Sequence, residues 1–378
     1  LPHAESVQPV KHIPALDGVR GFAAASVVLL HYGGGAHSNL LLVRAAGNVF
    51  LLGWAGVSLF FVLSGFLITG ILLDGFERED WWRTFYLRRS LRIFPLYYLA
   101  LAIALVLDLT LDRNSGNLDS LLVYALYLQD IPRLAFQLRD GPHLLLGHFW
   151  SLAVEEQFYL VWPFLLFAAR SRGRRAAMGL CAGVWTLSLL FRIAIAAGPW
   201  SLTWATSFAT GRAGELCAGA LLAVAIRGSA AQRRRAIGQS SLLMIAGSAL
   251  VAAALYHGVA LNTPSMAIVG LSGFSLLFTG LIAMCLYPNP VQRFFTLACL
   301  RYLGRISYGI YVYHLLFRPE YFWIAAHLVP HASRNMALCA NAAVAVTGTL
   351  AIASLSFHTY ERFFLRLKDR LARPRTLV

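Results

Sequence analysis

What most constrains this chain is that its apolar residues come in blocks. Stretches of about 20 residues, nearly free of charge, recur at roughly 15–33, 50–73, 91–108, 149–168, 178–197, 211–226, 240–256, 266–287, 304–325 and 337–357. About 20 apolar residues in a helix cross a hydrocarbon core of about 30 Å. Within lipid, a helix satisfies all of its own backbone hydrogen bonds. The fold expected is therefore all-α, a polytopic membrane helix bundle of about ten transmembrane helices. Composition agrees: the chain is 58% hydrophobic and only 13% charged, where soluble domains carry roughly 25% charged residues. One further apolar segment, near 118–131, is too short to span and suits a re-entrant or interfacial helix.

Charge orients the bundle. In a soluble protein, 32 Lys and Arg against 17 Asp and Glu would raise nucleic-acid binding. Here the basic residues lie in short connections between apolar blocks, and no helix interleaves them with aromatics at groove-reading spacing, so no nucleic-acid partner is expected. With ten spans and both termini cytoplasmic, most Lys and Arg fall inside, leaving Arg44, Arg113, Arg133, Arg139 and Arg334 outside. Counting 118–131 as a span would turn Arg170, Arg172, Arg174 and Arg175 outward, against the positive-inside rule.

The organisation expected is a cytoplasmic segment 1–14, a transmembrane domain 15–357 and a basic cytoplasmic tail 358–378. In that tail Phe363, Phe364, Leu367 and Leu371 recur at helical spacing among basic residues, the pattern of an amphipathic helix on the inner membrane surface. The first twelve residues are polar, with no apolar signal-peptide stretch. The five cysteines, Cys181, Cys217, Cys285, Cys299 and Cys339, are isolated and read as packing residues. Their spacing suggests no metal.

Ionisable groups inside spans cost about 2.5–3.5 kcal/mol each, so those present need a reason. Arg20 and His31 differ by eleven positions, about 20° from whole helical turns and about 16 Å along the axis. They share a face and form a line suited to a long anionic substrate. Arg89 and Arg92, at i and i+3, offer guanidinium groups to phosphates, although topological anchoring explains one or two such arginines. Glu155 and Glu156 follow His148-Phe149-Trp150-Ser151 at a helix start. The macrodipole favours acids there, and one of them can also orient an imidazole or a sugar hydroxyl. Arg212 and Glu215 can pair as architecture. His314 reads as a buried, satisfied histidine or an accessory one.

These motifs together resemble the acyltransferase-3 family of integral membrane O-acyltransferases. The resemblance rests on Leu16-Asp17-Gly18-Val19-Arg20 with His31, Phe60-Phe61-Val62-Leu63-Ser64-Gly65, and Arg89 with Arg92. It extends to Trp150-Ser151-Leu152 with Glu155-Glu156-Gln157-Phe158-Tyr159, and to Ser307-Tyr308-Gly309-Ile310-Tyr311 with His314. The order is the family's and nearly the whole chain is covered, so the form expected is the stand-alone one, without an SGNH hydrolase-like domain. The resemblance implies a bacterial inner-membrane enzyme. It would move an acyl group, usually acetyl, from cytoplasmic acyl-CoA to a hydroxyl of a glycan, glycolipid or other acceptor, without a metal. It also implies that Arg20, His31, Arg89 and Arg92 matter. A compatible chemistry has His31 as general base, Arg20, Arg89 and Arg92 on the CoA phosphates, and Glu155 or Glu156 as orienting acid. Ser64, Trp150 and Tyr308 are candidate oxyanion donors. Two rivals stay open. One is an acyl-enzyme on Ser64, which lacks a nucleophile-elbow sequence. The other is a transporter or flippase for an anionic or lipid-linked substrate, against which stands the lack of internal repeats.

Overall fold

The computed structural model describes residues 12–34, 41–110, 118–131 and 146–371, and among these every regular element is helical. The main helices are α1 (Pro14–Gly33), α2 (Leu41–Phe50), α3 (Ala55–Gly75), α4 (Trp81–Thr110), α5 (Leu118–Ala125), α6 (Trp150–Arg170) and α7 (Arg174–Ala197). They continue as α8 (Ala209–Ala225), α9 (Ser240–Tyr256), α10 (Leu271–Met284), α11 (Ala298–Leu316), α12 (Arg318–Leu328), α13 (Arg334–Ser356) and α14 (Arg362–Leu371). Residues 1–11 and 372–378, Gly35, and the positions of Arg113, Arg133 and Arg139 lie outside the described residues.

Eight helices among the described residues are long and apolar enough to cross a bilayer. The two remaining expected spans, near 15–33 and 304–325, are helical too, as α1 and α11–α12, but carry Asp17, Arg20, Arg301 and Arg305. These more polar helices pack against each other. A Cβ on Gly304 would lie 1.8 Å from the Asp17 carbonyl oxygen, so only glycine lets the two backbones meet there. Burial of Ala15, Val19, Ala23, Ala24 and Val27 on α1 completes the contact with its neighbours.

Three boundaries differ from the sequence expectation for physical reasons. The segment 304–325 is two helices, because Pro319 opens α12 and cannot continue the hydrogen bonding of α11. The helix expected over 91–108 starts earlier: α4 begins at Trp81 and runs through Arg89, Arg92 and Pro95. The segment after 357 begins as a π-helical turn, Phe357–Glu361, and continues as α14, which packs on α4. There the Tyr360 hydroxyl donates to the Pro95 carbonyl at 3.2 Å. The helix thus packs on α4 along one side, while Phe363 and Leu371 stay exposed as on an amphipathic surface helix.

The short α5 ends in turns that reach Asp130, which is buried. The Asp130 carboxylate accepts from Gln157 Nε2 at 2.7 Å and from the Ala209 N–H at 3.2 Å, tying this segment to α6 and α8. One end of the bundle gathers the basic connections. Arg227 forks onto Asp74 with two contacts of 2.7 Å, Arg170 pairs with Glu77, and Arg174 donates to the Val224 and Ala225 carbonyls at the end of α8.

Candidate active site

A cavity of about 720 Å³ opens at this basic end and penetrates the bundle. Successive helical turns set its depth. On α11 the wall runs Arg301, Arg305, Tyr308, Tyr311, ten positions or roughly 15 Å at 1.5 Å per residue. On α3 it runs from Asp74 inward to Ser64, Phe60 and Val57, and on α6 from Tyr159 through Glu155 to Ser151. Arg227, Arg301, Arg305 and Lys368 line the outer part. Arg20, Arg89 and Arg92 lie deeper, Ser64, Glu155 and Tyr308 deeper still, and Tyr311 and Ser151 close the far end.

Of the residues expected from sequence, Arg20, Arg89, Arg92, Ser64, Glu155 and Tyr308 therefore share one wall. The arginines keep donors open. Arg20 makes one long contact with Asp17, at 3.4 Å. Arg89 lies over the Tyr159 ring, 5.2 Å from its centroid, which leaves its N–H edges unengaged. Arg92 has no hydrogen bond or ion pair among the described residues. By contrast, two proposed oxyanion donors are occupied: Ser64 Oγ donates to Glu155 Oε1 at 2.5 Å, and the Tyr308 hydroxyl donates to the Ile93 carbonyl at 2.9 Å.

Glu156 and Trp150 fall outside the wall. Trp150 instead faces the Arg212 guanidinium, 5.6 Å from its ring, and packs edge-on against Phe61. Arg212 and Glu215 are paired at 2.6 Å and buried.

His31 does not line the cavity either. It sits just past Tyr311, in a cluster with His314 and His148. The His31 and His314 ring centroids are 4.9 Å apart, and those of His148 and His314 4.6 Å. The Tyr311 hydroxyl, which bonds Ser151 Oγ, also donates to the His148 carbonyl at 2.8 Å, so the tyrosine stands between cavity and cluster. Among the described residues no group of three His, Cys, Asp or Glu is arranged to hold a metal.

Sequence reasoning missed Glu361, Lys368 and His148. Glu361, Leu365 and Lys368 are i, i+4 and i+7, one helical face, and all three line the wall. That phase was readable, but it resembled the lipid-facing pattern of an amphipathic tail. His148 begins the motif that contains Trp150 and Glu155, and nothing in its spacing pointed to His31.

Comparison with known proteins completes the description. Residues 13–358 match the family described as an acyltransferase domain, the acyltransferase-3 family. A peptidoglycan O-acetyltransferase of Listeria monocytogenes is 26% identical over 370 residues, covering 93% of this chain and 55% of that protein. A putative peptidoglycan O-acetyltransferase of Bacillus subtilis is 34% identical over 198 residues, covering 48% of this chain and 29% of its own length. Nodulation protein 10 of Rhizobium leguminosarum is 30% identical over 197 residues, covering 48% of this chain and 53% of that protein. The chain thus spans about half the length, or less, of these relatives. No solved structure matches it.

Proposed function

We propose, starting from the fact that the chain belongs to the acyltransferase-3 family, that it transfers an acetyl group from acyl-CoA to a glycan hydroxyl at a bacterial inner membrane. The observation that carries this reading is the cavity itself. Its volume of about 720 Å³ lies within the range of about 300–1,000 Å³ usual for small-molecule and cofactor sites. Its mouth and middle are lined by cations, three of which have donors open toward the space. Oxygen-rich, multiply charged CoA phosphates match such a lining, and the positive-inside rule makes this the cytoplasmic end. The glycan acceptor is inferred from the relatives named as peptidoglycan O-acetyltransferases.

In this reading the phosphates dock on Arg20, Arg89 and Arg92, and the pantetheine arm runs inward so that the thioester reaches Tyr311. The acceptor hydroxyl approaches from the opposite side. Its oxygen attacks the thioester carbonyl while His31 takes the proton. The new C–O bond forms, the C–S bond breaks, and the proton passes from His31 to the departing CoA sulfur. Glu155, the acid on the wall, orients the reacting groups through Ser64.

The 2.5 Å contact between Ser64 and Glu155 also favours a second reading. Glu155 would take the Ser64 proton, Ser64 would hold the acetyl group after CoA leaves, and the acceptor would then displace it. Thiol release from acetyl-CoA by the purified protein, with a chito-oligosaccharide as acceptor, tests the enzyme reading against a carrier. Release that depends on His31 is expected. Absence of any release, together with transport of an anionic lipid-linked substrate, would overturn it. An acetyl adduct on Ser64 in the His31→Ala variant would select the second reading.

A further inference from the structure

Two buried imidazoles, His314 and His148, stand behind His31 and line neither wall nor mouth of the cavity. Their hydrogen bonds fix where protons sit. A carbonyl only accepts, and that of Tyr311 lies 2.7 Å from His314 Nδ1. His314 Nδ1 therefore carries the proton, and Nε2 presents its lone pair. That lone pair faces His31 Nδ1 at 3.3 Å. His31 Nδ1 is also 2.8 Å from the Val27 carbonyl oxygen, so it too is protonated, its N–H shared between carbonyl and imidazole in a three-centre bond. His31 Nε2 is left as the basic nitrogen.

We propose that His314 is the positioning residue for His31, an inference that rests on the reading of His31 as general base. His314 accepts from His31 Nδ1–H, holds His31 in the tautomer with a free Nε2, and binds more strongly as positive charge develops on His31. When the acceptor's O–H proton moves to His31 Nε2, the neutral hydrogen bond becomes charge-assisted, which roughly doubles its strength. The interaction is stronger in the transition state than before it, the condition for raising kcat. The Nδ1 proton stays on His31 throughout, and His314 gains none. His314 is itself held in place: the Tyr32 hydroxyl donates to its carbonyl, and the His148 ring packs on it at 4.6 Å with planes 71° apart.

The test uses the purified full chain in nanodiscs, with acetyl-CoA as donor and a chito-oligosaccharide as acceptor. His314→Phe removes the acceptor atom while filling the space. It is expected to lower kcat roughly 10- to 100-fold, the loss associated with one charge-assisted hydrogen bond, with KM for acetyl-CoA unchanged. His314→Gln, whose amide oxygen can accept from Nδ1–H, should restore most of the rate. In a His31→Ala background, His314→Phe should change the residual rate less than about twofold, because a residue acting through His31 has nothing left to act on. If Phe disturbs folding, His314→Asn, too short to reach Nδ1, replaces it in the comparison with Gln. Wild-type kcat in the Phe variant, an equal loss with and without His31, or a Gln variant no better than Phe would each reduce His314 to a packing role. Full turnover in His31→Ala would instead remove the general-base reading, and this inference with it. An inactive His31→Ala beside a normal His314→Phe would remove the inference alone.

Discussion

Two sets of arginines sit among these helices, and they differ in what their donors meet. Arg192 donates to the Ser188 and Ala267 carbonyls and to Ser272 Oγ, at 3.3, 2.8 and 3.1 Å. The Ala267 carbonyl lies in the π-helical turn Met266–Gly270 that precedes α10, so this guanidinium closes a backbone irregularity that lipid could not. Arg212 is paired with Glu215 at 2.6 Å, bonds Ser58 Oγ at 3.0 Å, and lies 5.0 Å from the Phe61 ring centroid. The half-buried Arg89 and the more exposed Arg92, in contrast, face a cavity with their N–H groups open. The same charge thus has two meanings in the bundle. Where protein atoms take the donors, the arginine is architecture. Where a cavity faces them, the donors are free to take a ligand.

The largest effect should come from the occupied set. Arg212→Met leaves Glu215 buried without its cation, which costs about 3–5 kcal/mol. The detergent-solubilised variant is expected to lose its monodisperse peak and cooperative melt, and a second change, Glu215→Leu, should recover both. A stable Arg212→Met with normal melting would break the contrast at its firmest point. Arg89→Gln forms the opposite arm. Its melting temperature should hold while KM for acetyl-CoA rises roughly 10- to 100-fold, the usual worth of a largely desolvated phosphate contact.

The sequence made one side of this contrast legible and left much of the other hidden. The Arg212–Glu215 pair was visible because i and i+3 on one helix is a local relation. The common wall of Arg20, Arg89, Arg92 and Glu155 required three helices to converge, and it was anticipated through family motif order rather than geometry. The break at Phe317 was written in Pro319. The seat of His31 was not readable, because its neighbour His314 is 283 positions away. The tail helix was legible, but not its second face: periodicity alone does not say that Leu365 and Lys368 line a cavity while Phe363 and Leu371 stay exposed.

Asp130 extends the occupied class to a carboxylate and supplies a pH test of intermediate size. Burial raises it from its ordinary 3.8 to about 6, with the bonds from Gln157 and Ala209 opposing that shift. A raised carboxyl means that the folded protein holds this proton more tightly than the unfolded chain. Stability from this group is therefore greatest below about pH 4 and falls as pH rises through about 6, by roughly 1–3 kcal/mol. Melting curves of Asp130→Asn should lose that slope between pH 4 and 6. An unchanged slope would mean that Asp130 is ionised at no cost and is not a constraint on α5.

The smallest effects should come from the mouth, and they decide whether burial is what separates binding arginines from merely basic ones. Arg301 and Arg305 line the same cavity as Arg89 but are exposed, where Arg89 is half-buried. Water competes for their donors, and salt screens them over about 8 Å at physiological ionic strength. Exposed ion pairs are worth at most about 1 kcal/mol, so Arg301→Ala or Arg305→Ala should raise KM for acetyl-CoA only about two- to fivefold. Added salt should erase most of that difference, because it weakens the wild type toward the variant. Arg89→Gln should keep most of its deficit at high salt, since a contact inside the bundle is screened less. Measuring KM against ionic strength for the three variants separates the cases. If Arg301→Ala matched Arg89→Gln in size and in salt insensitivity, depth in the cavity would not set the worth of a guanidinium, and the distinction between mouth and interior would fail.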